Sequence, residues 1–495
     1  MSITLAVDLG STTFRAALVT ADGEIAHLDA IPPAVQASAT GWAECDPDLW
    51  WEALCHCANA LAREAPDLFS RVTAIAISGF TRAQVMVDGA GRPTGPAILW
   101  NDIRAGETLA DLRALLPETH PETREINAYH PLARLFWLAR HEPERLSKAV
   151  AVLDPKDDLN LKLTGIISSD PVSLARLLAA GVVGPNGLSL VAASGLREDL
   201  VPPLQAPVSI MGKVRLGHPG ALARLAGCPV ITMANDTWAS VVGLGAMRPG
   251  FGYNLTGTTE VFGLVSTSGA TAEGLMRVDW GDGLTQLGGP SQCGGDTLAW
   301  LLGVLGCPDP TIFEALLATP RDPDPLLFLP YLQGERVPYW NPALRGAMIG
   351  LNRRHGPVDI AYAVMEGVAF LNRIVLDRAE AATQTTVCDI RFGGGGAANS
   401  IWCQIKADVL GRAISVVEAQ EVGLLGAAIV AQTAIGRYPT LAAAQEALVR
   451  VRKTYLPDAI RSADYARLFA LYREAEQALT PISARLADWR GNRVP

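Results

Sequence analysis

The chain begins with a regular alternation of apolar segments and short polar turns. Residues 3–8 form an apolar run, and a turn of glycine and hydroxyl residues follows it. A second apolar run covers residues 14–19 and leads into Asp22 and Gly23, after which a third run begins at Glu24. Apolar runs of this length between turn-forming residues predict three successive strands joined by two tight turns.

The same pattern returns near the middle of the chain, in the sequence GYNLTGTTEVFGLV. An apolar strand there leads into a Thr-Gly-Thr-Thr turn, and a second apolar strand follows. The turn glycines, Gly10 and Gly257, are 247 positions apart (257 − 10), about half of the chain. Two such loops at this separation predict a duplicated nucleotide-binding domain.

Between and after these hairpins, strand-like segments alternate with helix-like ones. The pattern predicts strands at residues 72–78, 97–100 and 229–233, and helices at residues 131–141 and from Asp236 onward. This alternation predicts an α/β fold with helices on the faces of the sheets. Residues 301–339, rich in Pro and Asp, predict loops and short helices. The Ala-, Leu-, Glu- and Arg-rich stretch from Leu441 onward predicts helix.

The composition is that of a folded globular protein and argues against a nucleic-acid-binding role. On a prior of about 150 residues per domain, 495 residues are enough for two or three domains. The chain is 49% hydrophobic and 18% charged, which is ordinary for a well-buried protein. Its net charge of −9 lacks the basic footprint of nucleic-acid binding. ATP stays open, because local loops and a metal ion can hold phosphates.

Location and redox state follow from the apolar stretches and the cysteines. The N-terminal segment lacks the basic residues of a signal peptide, and the apolar stretch at 423–436 is too short to span a bilayer. Eight scattered cysteines do not form a disulfide framework. Cys55 and Cys57 flank His56, but without further ligands they favour a helix face over a metal site. We therefore expect a cytoplasmic enzyme with reduced thiols and no membrane partner.

The two hairpin turns carry residue types that bind phosphate. Glycine lets the backbone approach phosphate oxygens, to which amide and hydroxyl groups of the turn donate. The candidate phosphate-binding residues are Thr12, Thr13, Gly257, Thr258 and Thr259. Asp8, where the first strand meets its turn, is a candidate ligand for Mg²⁺, which prefers a few carboxylates and keeps several waters. The alternatives are polar turns without a ligand and an Asp8 that only stabilises its turn.

Asp236 lies at a strand-to-helix junction, in VITMANDTWAS. An aspartate in this position is often the N-cap of the helix. The functional alternative is a general base at the carboxyl end of a strand, where open α/β sheets bind their ligands. Such a base would accept the proton of an attacking hydroxyl.

Four consecutive glycines, residues 393–396, stand between an apolar strand and a helix in FGGGGAANSIW. The segment is not a GxxxxGK[ST] loop, and it lacks a lysine. Close approach of the backbone to a base and ribose, next to a helix N-terminus, predicts an adenosine-binding segment. A flexible turn is the alternative. The residues assigned to adenosine are Gly394, Gly395, Gly396, Ala397 and Asn399.

Taken in order, these segments resemble the FGGY family of carbohydrate kinases, and most closely its xylulokinase-like members. The resemblance covers nearly the whole chain and includes DLGSTTFRAALVTADG, GWAECDPDLWW, LWNDIRAGE, YHPLARLFWLARHEP, DPKDDLNLKLTG, NDTWASVVGLGA, FLPYLQGERVPYWNPALRGAMIGL and FGGGGAANSIWCQIKADVLGRAI. It implies two actin-like (ribonuclease H-like) ATPase domains with ATP and Mg²⁺ in a central cleft, and Asp236 as the catalytic base. The expected domains are residues 1–246, with the sugar site and first phosphate loop, and residues 247–495, with the nucleotide site and a helical tail.

Three segments depart from the family pattern. The strand ending at Ser78 continues as SGFTRA instead of SGQMHG, which puts Arg82 where a sugar-contacting histidine is usual. Its planar guanidinium suits a carboxylate or several hydroxyls, and the alternative is a solvent-facing or acid-paired arginine. Arg134 stands where lysine is usual. Glu260 follows the second turn, where its charge would repel phosphate unless it faces away or serves the metal.

The leading hypothesis is a xylulokinase-like enzyme that transfers the γ-phosphate of ATP to a hydroxyl of a ketopentose such as xylulose. The candidate acceptor-side residues are Trp42, Thr81, Arg82, Trp100, Asp102 and Asp236. One alternative keeps the kinase and changes the acceptor to another polyol, a hexulose or a sugar acid. Another is an inactive actin-like ATP-binding switch, which the presence of Asp236 disfavours. A homodimer is the assembly to expect, because dimers are the commonest oligomers.

Overall fold

The computed structural model of the chain describes residues 2–11, 13–32, 36–37, 41–306 and 310–491. The chain divides into two compact units. Unit 1 comprises Met1–Gly243 and Glu421–Leu448, and unit 2 comprises Leu244–Gln420 and Val449–Pro495. Each unit has its own main sheet and its own buried apolar clusters.

The strands of the described residues are numbered in chain order. Those of unit 1 are β1 Ile3–Leu9, β2 Phe14–Thr20, β3 Ile25–Ile31, β4 Gln36–Ala37, β5 Ala43–Cys45, β6 Val72–Gly79, β7 Val85–Val87, β8 Ala97–Ile98, β9 Ala151–Leu153, β10 Ser209–Lys213 and β11 Pro229–Thr232. Those of unit 2 are β12 Phe251–Thr256, β13 Glu260–Ser266, β14 Met276–Gly281, β15 Leu284–Ser291, β16 Leu327–Leu329, β17 Ala347–Ile349, β18 Asp389–Gly394, β19 Ile414–Val417 and β20 Val451–Tyr455.

The α-helices of the same residues are also numbered in chain order. They are α1 Pro47–Glu64, α2 Pro66–Phe69, α3 Leu109–Leu115, α4 Pro131–His141, α5 Pro143–Lys148, α6 Pro155–Thr164, α7 Ala175–Gly181, α8 Leu190–Ala193, α9 Asp236–Gly243, α10 Gly295–Leu305, α11 Pro310–Leu317, α12 Pro357–Thr383, α13 Ser400–Leu410, α14 Val422–Ala434, α15 Leu441–Leu448 and α16 Ala459–Gly491. Short 3₁₀ turns occupy Arg104–Thr108, Pro121–Glu125, Glu198–Leu200, Gly220–Leu225 and Gly395–Ala398.

In the described residues, the main sheet of unit 1 has six strands in the order β10-β11-β6-β1-β2-β3. The strand β1 pairs in parallel with β6 and antiparallel with β2, and β6 pairs in parallel with β11. The apolar residues of β1 are buried, as expected for a central strand covered on both faces. Parallel strands end at the same edge of a sheet, so Asp8, Ser78 and Asp236, at or just after these ends, share that edge.

Helix α14 belongs to unit 1 although it lies late in the chain. It packs against α9 and β1. A Cβ atom on Gly243 would collide with the carbonyl oxygen of Val422, and one on Gly426 would collide with that of Ala239. The close approach of the two helices therefore depends on glycine in both. The division expected from the sequence, with one boundary after residue 246, does not describe the return of the chain to unit 1 at Glu421–Leu448.

The main sheet of unit 2 has, among the described residues, seven strands in the order β14-β15-β13-β12-β18-β19-β20. The strand β12 pairs antiparallel with β13 and in parallel with β18, which pairs in parallel with β19. In chain order, β1, β2, β3, β6 and β11 therefore correspond to β12, β13, β15, β18 and β19. This shared succession confirms the α/β class and the duplication expected from the two hairpins.

Most predicted elements are present, with small shifts at their ends. The strand predicted at 97–100 is limited to Ala97–Ile98. The stretch after Leu441 is not continuous helix, because β20 separates α15 from α16. The strand β20 pairs antiparallel with β19, and its Val, Thr and Tyr favour a pleated strand. In the part of the chain that the structure describes, no helix is long and apolar enough to cross a membrane.

Candidate active site

The first hairpin consists of β1, the turn at residues 10–13 and β2. The amide of Gly10 donates to the carbonyl oxygen of Thr13 at 3.1 Å, which closes the turn. A Cβ atom on Gly10 would lie 2.7 Å from that same oxygen, so the observed turn requires glycine. Thr13 is partly exposed on the turn. Thr12 lies outside the described residues.

Asp8 lies one residue before the end of β1, and its side chain is 18% exposed. One carboxylate oxygen accepts a hydrogen bond from Ser78 Oγ at 3.3 Å, and the other lies 3.7 Å from the guanidinium of Arg15. Burial, followed by the negative charge of Asp236, raises the pKa of Asp8 to about 7. Arg15 and Ser78 oppose this increase. The surroundings of Asp8 therefore disfavour its negative charge in the absence of an added cation.

Asp236 is the first residue of α9, but it is not the residue that caps the helix. Asn235 is the cap, since its Oδ1 accepts a hydrogen bond from the amide of Trp238 at 3.0 Å. The Asp236 carboxylate accepts from the amide of its neighbour Thr237 at 2.6 Å. Burial raises the pKa of Asp236, and the bonds from Thr237 oppose this. Because Asn235 caps the helix, Asp236 does not have the capping role that its sequence position allowed. The Asp236 residue is also partly exposed.

Arg82 lies close enough to Asp236 for its positive charge to oppose the increase in the pKa of that carboxyl. The backbone of Arg82 has a φ of +62°, in the left-handed region that favours glycine. Its carbonyl oxygen accepts a hydrogen bond from Arg134. The structure thus brings Asp8, Arg82 and Asp236 together from three separate parts of unit 1.

Thr81, the neighbour of Arg82, has its hydroxyl engaged inside the protein. Thr81 Oγ1 lies 3.0 Å from a carboxylate oxygen of Asp154 and 3.1 Å from the carbonyl oxygen of Ser173. Burial, followed by the charge of Asp157, raises the pKa of Asp154 well above its ordinary value. The Thr81 hydroxyl therefore anchors this loop to the interior of unit 1.

Trp42 and Asp102 meet at the guanidinium of Arg104. The Arg104 guanidinium carbon lies 4.1 Å from the ring centroid of Trp42, a distance typical of cation–π contact. Asp102 is completely buried, and its carboxylate accepts from the amide of Ala43 at 2.6 Å and from Arg104 at 2.8 Å. The Asp102 side chain thus offers no exposed face, whereas Trp100 is 41% exposed.

The second hairpin consists of β12, the turn at residues 257–259 and β13. The amides of Gly295 and Asp296, which open α10, donate to the carbonyl oxygens of Gly257 and Thr258 at 3.0 and 2.8 Å. Gly257 and Thr258 are exposed, and Thr259 is partly exposed. The turn is therefore held by the first amides of α10 while its outer surface is open.

The glycine-rich segment leaves the same edge of this sheet as the second hairpin, because Thr256 of β12 pairs with Gly394 of β18 in parallel. Gly394 has a φ of +86°, and a Cβ atom there would collide with the carbonyl oxygen of Thr256. Gly394 and Gly395 are exposed, whereas Ala397 is buried. Asn399 caps α13, since its Oδ1 accepts from the amide of Trp402 at 2.9 Å. The open face of this segment is thus its glycine backbone.

Glu260 points into the interior of unit 2 and away from the exposed turn. Its side chain is fully buried, and one carboxylate oxygen lies 2.7 Å from Lys406 Nζ and 2.6 Å from Thr256 Oγ1. Asn372 donates to the other oxygen at 2.7 Å and accepts from Lys406 at 2.6 Å. Burial lowers the pKa of Lys406, and Glu260 opposes this. The charge of Glu260 is therefore compensated inside the protein.

Comparison with known proteins agrees with this arrangement along almost the whole chain. The model of the N-terminal domain of the FGGY family of carbohydrate kinases matches residues 3–243. The model of the C-terminal domain of the same family matches residues 252–435. The chain belongs to the FGGY family of carbohydrate kinases. Members of this family use ATP as a substrate.

Individual FGGY relatives are similar over their full length. The xylulose kinase of Escherichia coli K12 is 29% identical over 492 residues, which cover 97% of this chain and all of that protein. The L-xylulose/3-keto-L-gulonate kinase of the same organism is 26% identical over 504 residues, with 98% of each chain covered. The crystal structure of a xylulose kinase from Rhodospirillum rubrum has a TM-score of 0.85 at 26% identity and covers 97% of this chain and 99% of its own.

The residues around Asp8 fit a magnesium ion that keeps most of its water ligands. In the described ranges, no group of three or more His, Cys, Asp or Glu side chains could hold a metal ion by itself. Magnesium in phosphoryl-transfer enzymes usually takes one or two carboxylates, with water and substrate phosphates completing its shell. The negative charges of Asp236 and Glu421, which both raise the pKa of Asp8, are of the sign that a cation would offset.

Several residues that shape the second hairpin were not predicted from the sequence. The pair Gly294 and Gly295 lets α10 approach the second turn, because Cβ atoms there would meet the backbone at residues 257–260. A Gly-Gly pair after a strand was the available signal. Lys406 and Asn372, the partners of Glu260, gave no local signal, since they lie on helices far along the chain.

Proposed function

We propose that this FGGY kinase transfers the γ-phosphate of ATP to a hydroxyl of a ketopentose such as xylulose. The names of the full-length relatives from Escherichia coli and Rhodospirillum rubrum support a xylulose-type acceptor. The proposal assigns the acceptor and the first phosphate loop to unit 1, and the adenosine segment and second phosphate loop to unit 2.

The observation that carries the proposal is the state of Asp236. This carboxylate is partly exposed, is not the helix cap, and is linked electrostatically to Asp8. In the proposed reaction the acceptor hydroxyl oxygen forms a bond to the γ-phosphorus, and the bond to the leaving oxygen of ADP breaks. Asp236 accepts the hydroxyl proton. Its raised pKa makes it a stronger base than an ordinary aspartate.

Nucleotide binding is assigned to backbone and hydroxyl groups of the two turns and of the glycine-rich segment. Thr12, Thr13, Gly257, Thr258 and Thr259 would donate to phosphates, and Gly394, Gly395, Gly396, Ala397 and Asn399 would line the adenosine pocket. Since Asn399 already caps α13 and Ala397 is buried, the main contact surface in this segment is the backbone of Gly394 and Gly395. Asp8 would hold Mg²⁺, which neutralises phosphate charge when bound.

On the acceptor side, the residues divide by exposure. Trp42, Arg82 and Trp100 have exposed or partly exposed side chains and are assigned direct contacts. Thr81 and Asp102 use their polar groups inside the protein, so we assign them positioning roles for their loops. The proposal also includes a cytoplasmic location, and the homodimer stays a prediction.

The Asp236→Asn variant tests the proposal. The loss of the base should lower sugar-dependent ADP formation by about 10²–10⁴-fold and leave ATP affinity nearly unchanged. The matched control is Asp458→Asn, at the start of α16, because the Asp458 carboxylate caps amides of its helix and an amide oxygen can do the same. Near-normal turnover in Asp236→Asn would sink the assignment.

A sugar acid is the second candidate acceptor, and Arg82 is the observation that favours it. A guanidinium beside the proposed base can bind a carboxylate through paired hydrogen bonds. One full-length relative is named as an L-xylulose/3-keto-L-gulonate kinase. Ketopentoses, polyols and aldonates should therefore be compared side by side with the wild-type enzyme.

The variants Arg82→Met and Arg82→Lys separate the two acceptors, since both keep a side chain at the same left-handed position. If a sugar acid is the acceptor, Arg82→Met should raise its KM by about tenfold or more, and Arg82→Lys should recover part of the loss. Equal small effects on neutral and acidic acceptors would eliminate the sugar-acid candidate.

A further inference from the structure

A buried arginine ties together the two segments that carry Arg82 and Trp100. Arg134 lies in α4, and its side chain is fully buried. One terminal nitrogen of its guanidinium donates to the main-chain carbonyl oxygen of Arg82. The other donates to the main-chain carbonyl oxygen of Trp100 at 2.8 Å. One side chain thus holds two loops, each with a residue assigned to acceptor contact.

The loop at Arg82 needs such a tie. A φ of +62° is unfavourable for a residue with a Cβ atom, so the surrounding structure must hold it there. The start of α4 supplies a second contact nearby, because Gln84 Nε2 donates to the carbonyl oxygen of Pro131 at 3.1 Å. Contacts with α4 therefore help to hold the conformation of the loop, together with the hydrogen bonds that Thr81 makes to Asp154 and Ser173.

The surroundings of Arg134 show that its charge is not used in an ion pair. Within the described ranges, no carboxylate lies within 4.0 Å of its guanidinium, whereas Arg104 is paired with both Asp102 and Glu44. Burial lowers the pKa of Arg134 to about 10, and Asp102 opposes this. Its Nε atom has no hydrogen-bond partner among these residues. A buried cation is unfavourable, so the contacts that distinguish Arg134 are those to the two carbonyls.

We propose that Arg134 is a positioning residue that presets the acceptor-binding loops for the Arg82 and Trp100 side chains. The inference rests on the proposed carbohydrate kinase function. It deepens that function by explaining why an arginine stands in this position. A planar guanidinium can donate in two fixed, diverging directions at once, whereas an ammonium is a compact charge on a flexible chain. The two loops are thereby held at a fixed separation.

The test compares Arg134→Met and Arg134→Lys with the wild-type enzyme on its best carbohydrate acceptor. Loss of both contacts in Arg134→Met should raise the acceptor KM by about 10- to 100-fold while the KM for ATP stays within about twofold. Arg134→Lys, which can still donate to a carbonyl, should recover part of the acceptor affinity. A structural role alone would lower stability without separating the two KM values.

The matched control is Arg145, a second buried arginine of unit 1. Its guanidinium donates to the carbonyl oxygen of Pro96 and to Glu142, and its Nε atom also lacks a hydrogen-bond partner in the described part of the chain. Arg145→Met should lower the unfolding temperature without changing the acceptor KM. An unchanged acceptor KM in Arg134→Met, or an equal increase in Arg145→Met, would overturn the inference.

Hydrogen exchange of the backbone amides gives a readout that does not depend on activity. Arg134→Met should lose protection at residues 80–84 and 99–102, with Arg134→Lys less affected and Arg145→Met unchanged there. If the wild-type enzyme phosphorylates no carbohydrate, the proposed function fails and exchange still decides whether Arg134 holds the loops. If the wild-type enzyme is active and exchange at these loops is unchanged in Arg134→Met, the inference fails alone.

Discussion

The two hairpins have the same succession of strands, but the carboxylates beside their turns have different electrostatic surroundings. In the first hairpin, the carboxylate of Asp8 is partly exposed at the end of β1, and burial, followed by the negative charge of Asp236, raises its pKa to about 7. In the second, the carboxylate of Glu260 is fully buried at the start of β13 and is paired with Lys406. The first hairpin therefore has a partly exposed acid whose negative charge is disfavoured by its surroundings, and the second has a buried carboxylate whose charge is compensated.

The difference shows how one backbone design serves two chemical tasks. A partly exposed carboxylate is suited to a bound cation, whereas a turn whose adjoining carboxylate, Glu260, is neutralised inside the protein can present amides and hydroxyls to an anion. The charge of Glu260 does not oppose phosphate binding at the second turn, because it is directed away and compensated. Residue type alone does not give this distinction, since both residues are acids next to a Gly-Thr turn.

The largest effect is expected from the buried pair of the second hairpin. Lys406→Met leaves the Glu260 carboxylate buried without its cation, which should lower the free energy of unfolding by about 3–5 kcal/mol. The double variant Glu260→Gln/Lys406→Met should recover much of this loss. Denaturant unfolding measures both, with Arg467→Met, from an exposed ion pair, as a control that changes little. A loss below about 1 kcal/mol in Lys406→Met would contradict the comparison.

In the first hairpin, Asp8→Asn should raise the free energy of unfolding, whereas Lys406→Met lowers it in the second. Folded Asp8 keeps its proton up to about pH 7, whereas an unfolded aspartate loses it near pH 4, so wild-type stability falls as the pH rises between these values. The variant lacks this loss. It should therefore be more stable than wild type by an amount that grows through this window to about 2–4 kcal/mol, since one pKa unit corresponds to about 1.4 kcal/mol. It should also lose kinase activity.

Thermal unfolding of Asp8→Asn and wild type at pH 4.5, 6 and 7.5 (about the limits and middle of this window) measures the difference. The control is Asp464→Asn, which removes an exposed carboxylate of α16. If the gap between Asp8→Asn and wild type did not widen with pH, the electrostatic account of the first hairpin would be wrong.

The turn glycines should differ in a smaller way. A Cβ atom on Gly10 meets the carbonyl oxygen of Thr13 at 2.7 Å, whereas one on Gly257 has its nearest neighbour, Thr259 O, at 3.9 Å. Gly10→Ala should therefore lower the free energy of unfolding by about 1–3 kcal/mol and Gly257→Ala by less than about 0.5. Denaturant unfolding measures both variants, and each is the control for the other. Equal losses of unfolding free energy would contradict the expected difference between the two turns.

The smallest effect is expected at Ser78, which donates to Asp8 at 3.3 Å. This bond lowers the pKa of Asp8, so Ser78→Ala should raise that pKa further, by about half a unit or less. The midpoint of the pH-dependent stability then moves to a higher pH. In an Asp8→Asn background the same substitution should not move it. A downward shift of the midpoint in Ser78→Ala would contradict the assigned direction.

The hairpins, the α/β class and the duplication could be predicted from local pattern. Apolar runs of strand length around Gly-Thr turns specify a hairpin wherever they occur, and the family resemblance gave the order of the segments. Asp236 could be placed at the start of a helix for the same reason. Its freedom from capping could not, because Asn235 and Asp236 are equally good caps by residue type.

Interior contacts account for the residues that local pattern did not resolve. Asp102 belongs to a polar segment, yet its carboxylate is enclosed by Arg104 and the amide of Ala43. The strand β20 lies in a stretch of helical composition, and its pairing with β19 overrides local preference. These outcomes depend on contacts with residues that are distant in sequence, such as Ala43 for Asp102 and β19 for β20.

The sequence by itself determined the two Gly-Thr turns, the acids beside them and the family, because these follow from residue order over a few positions. Only the tertiary structure decided which acid is exposed and which is neutralised. That decision depends on burial and on partners such as Lys406, Asn372 and Asp236, which are distant in sequence. The physical reason is that the charge of a carboxylate in a protein is controlled by its solvation and its neighbours in space.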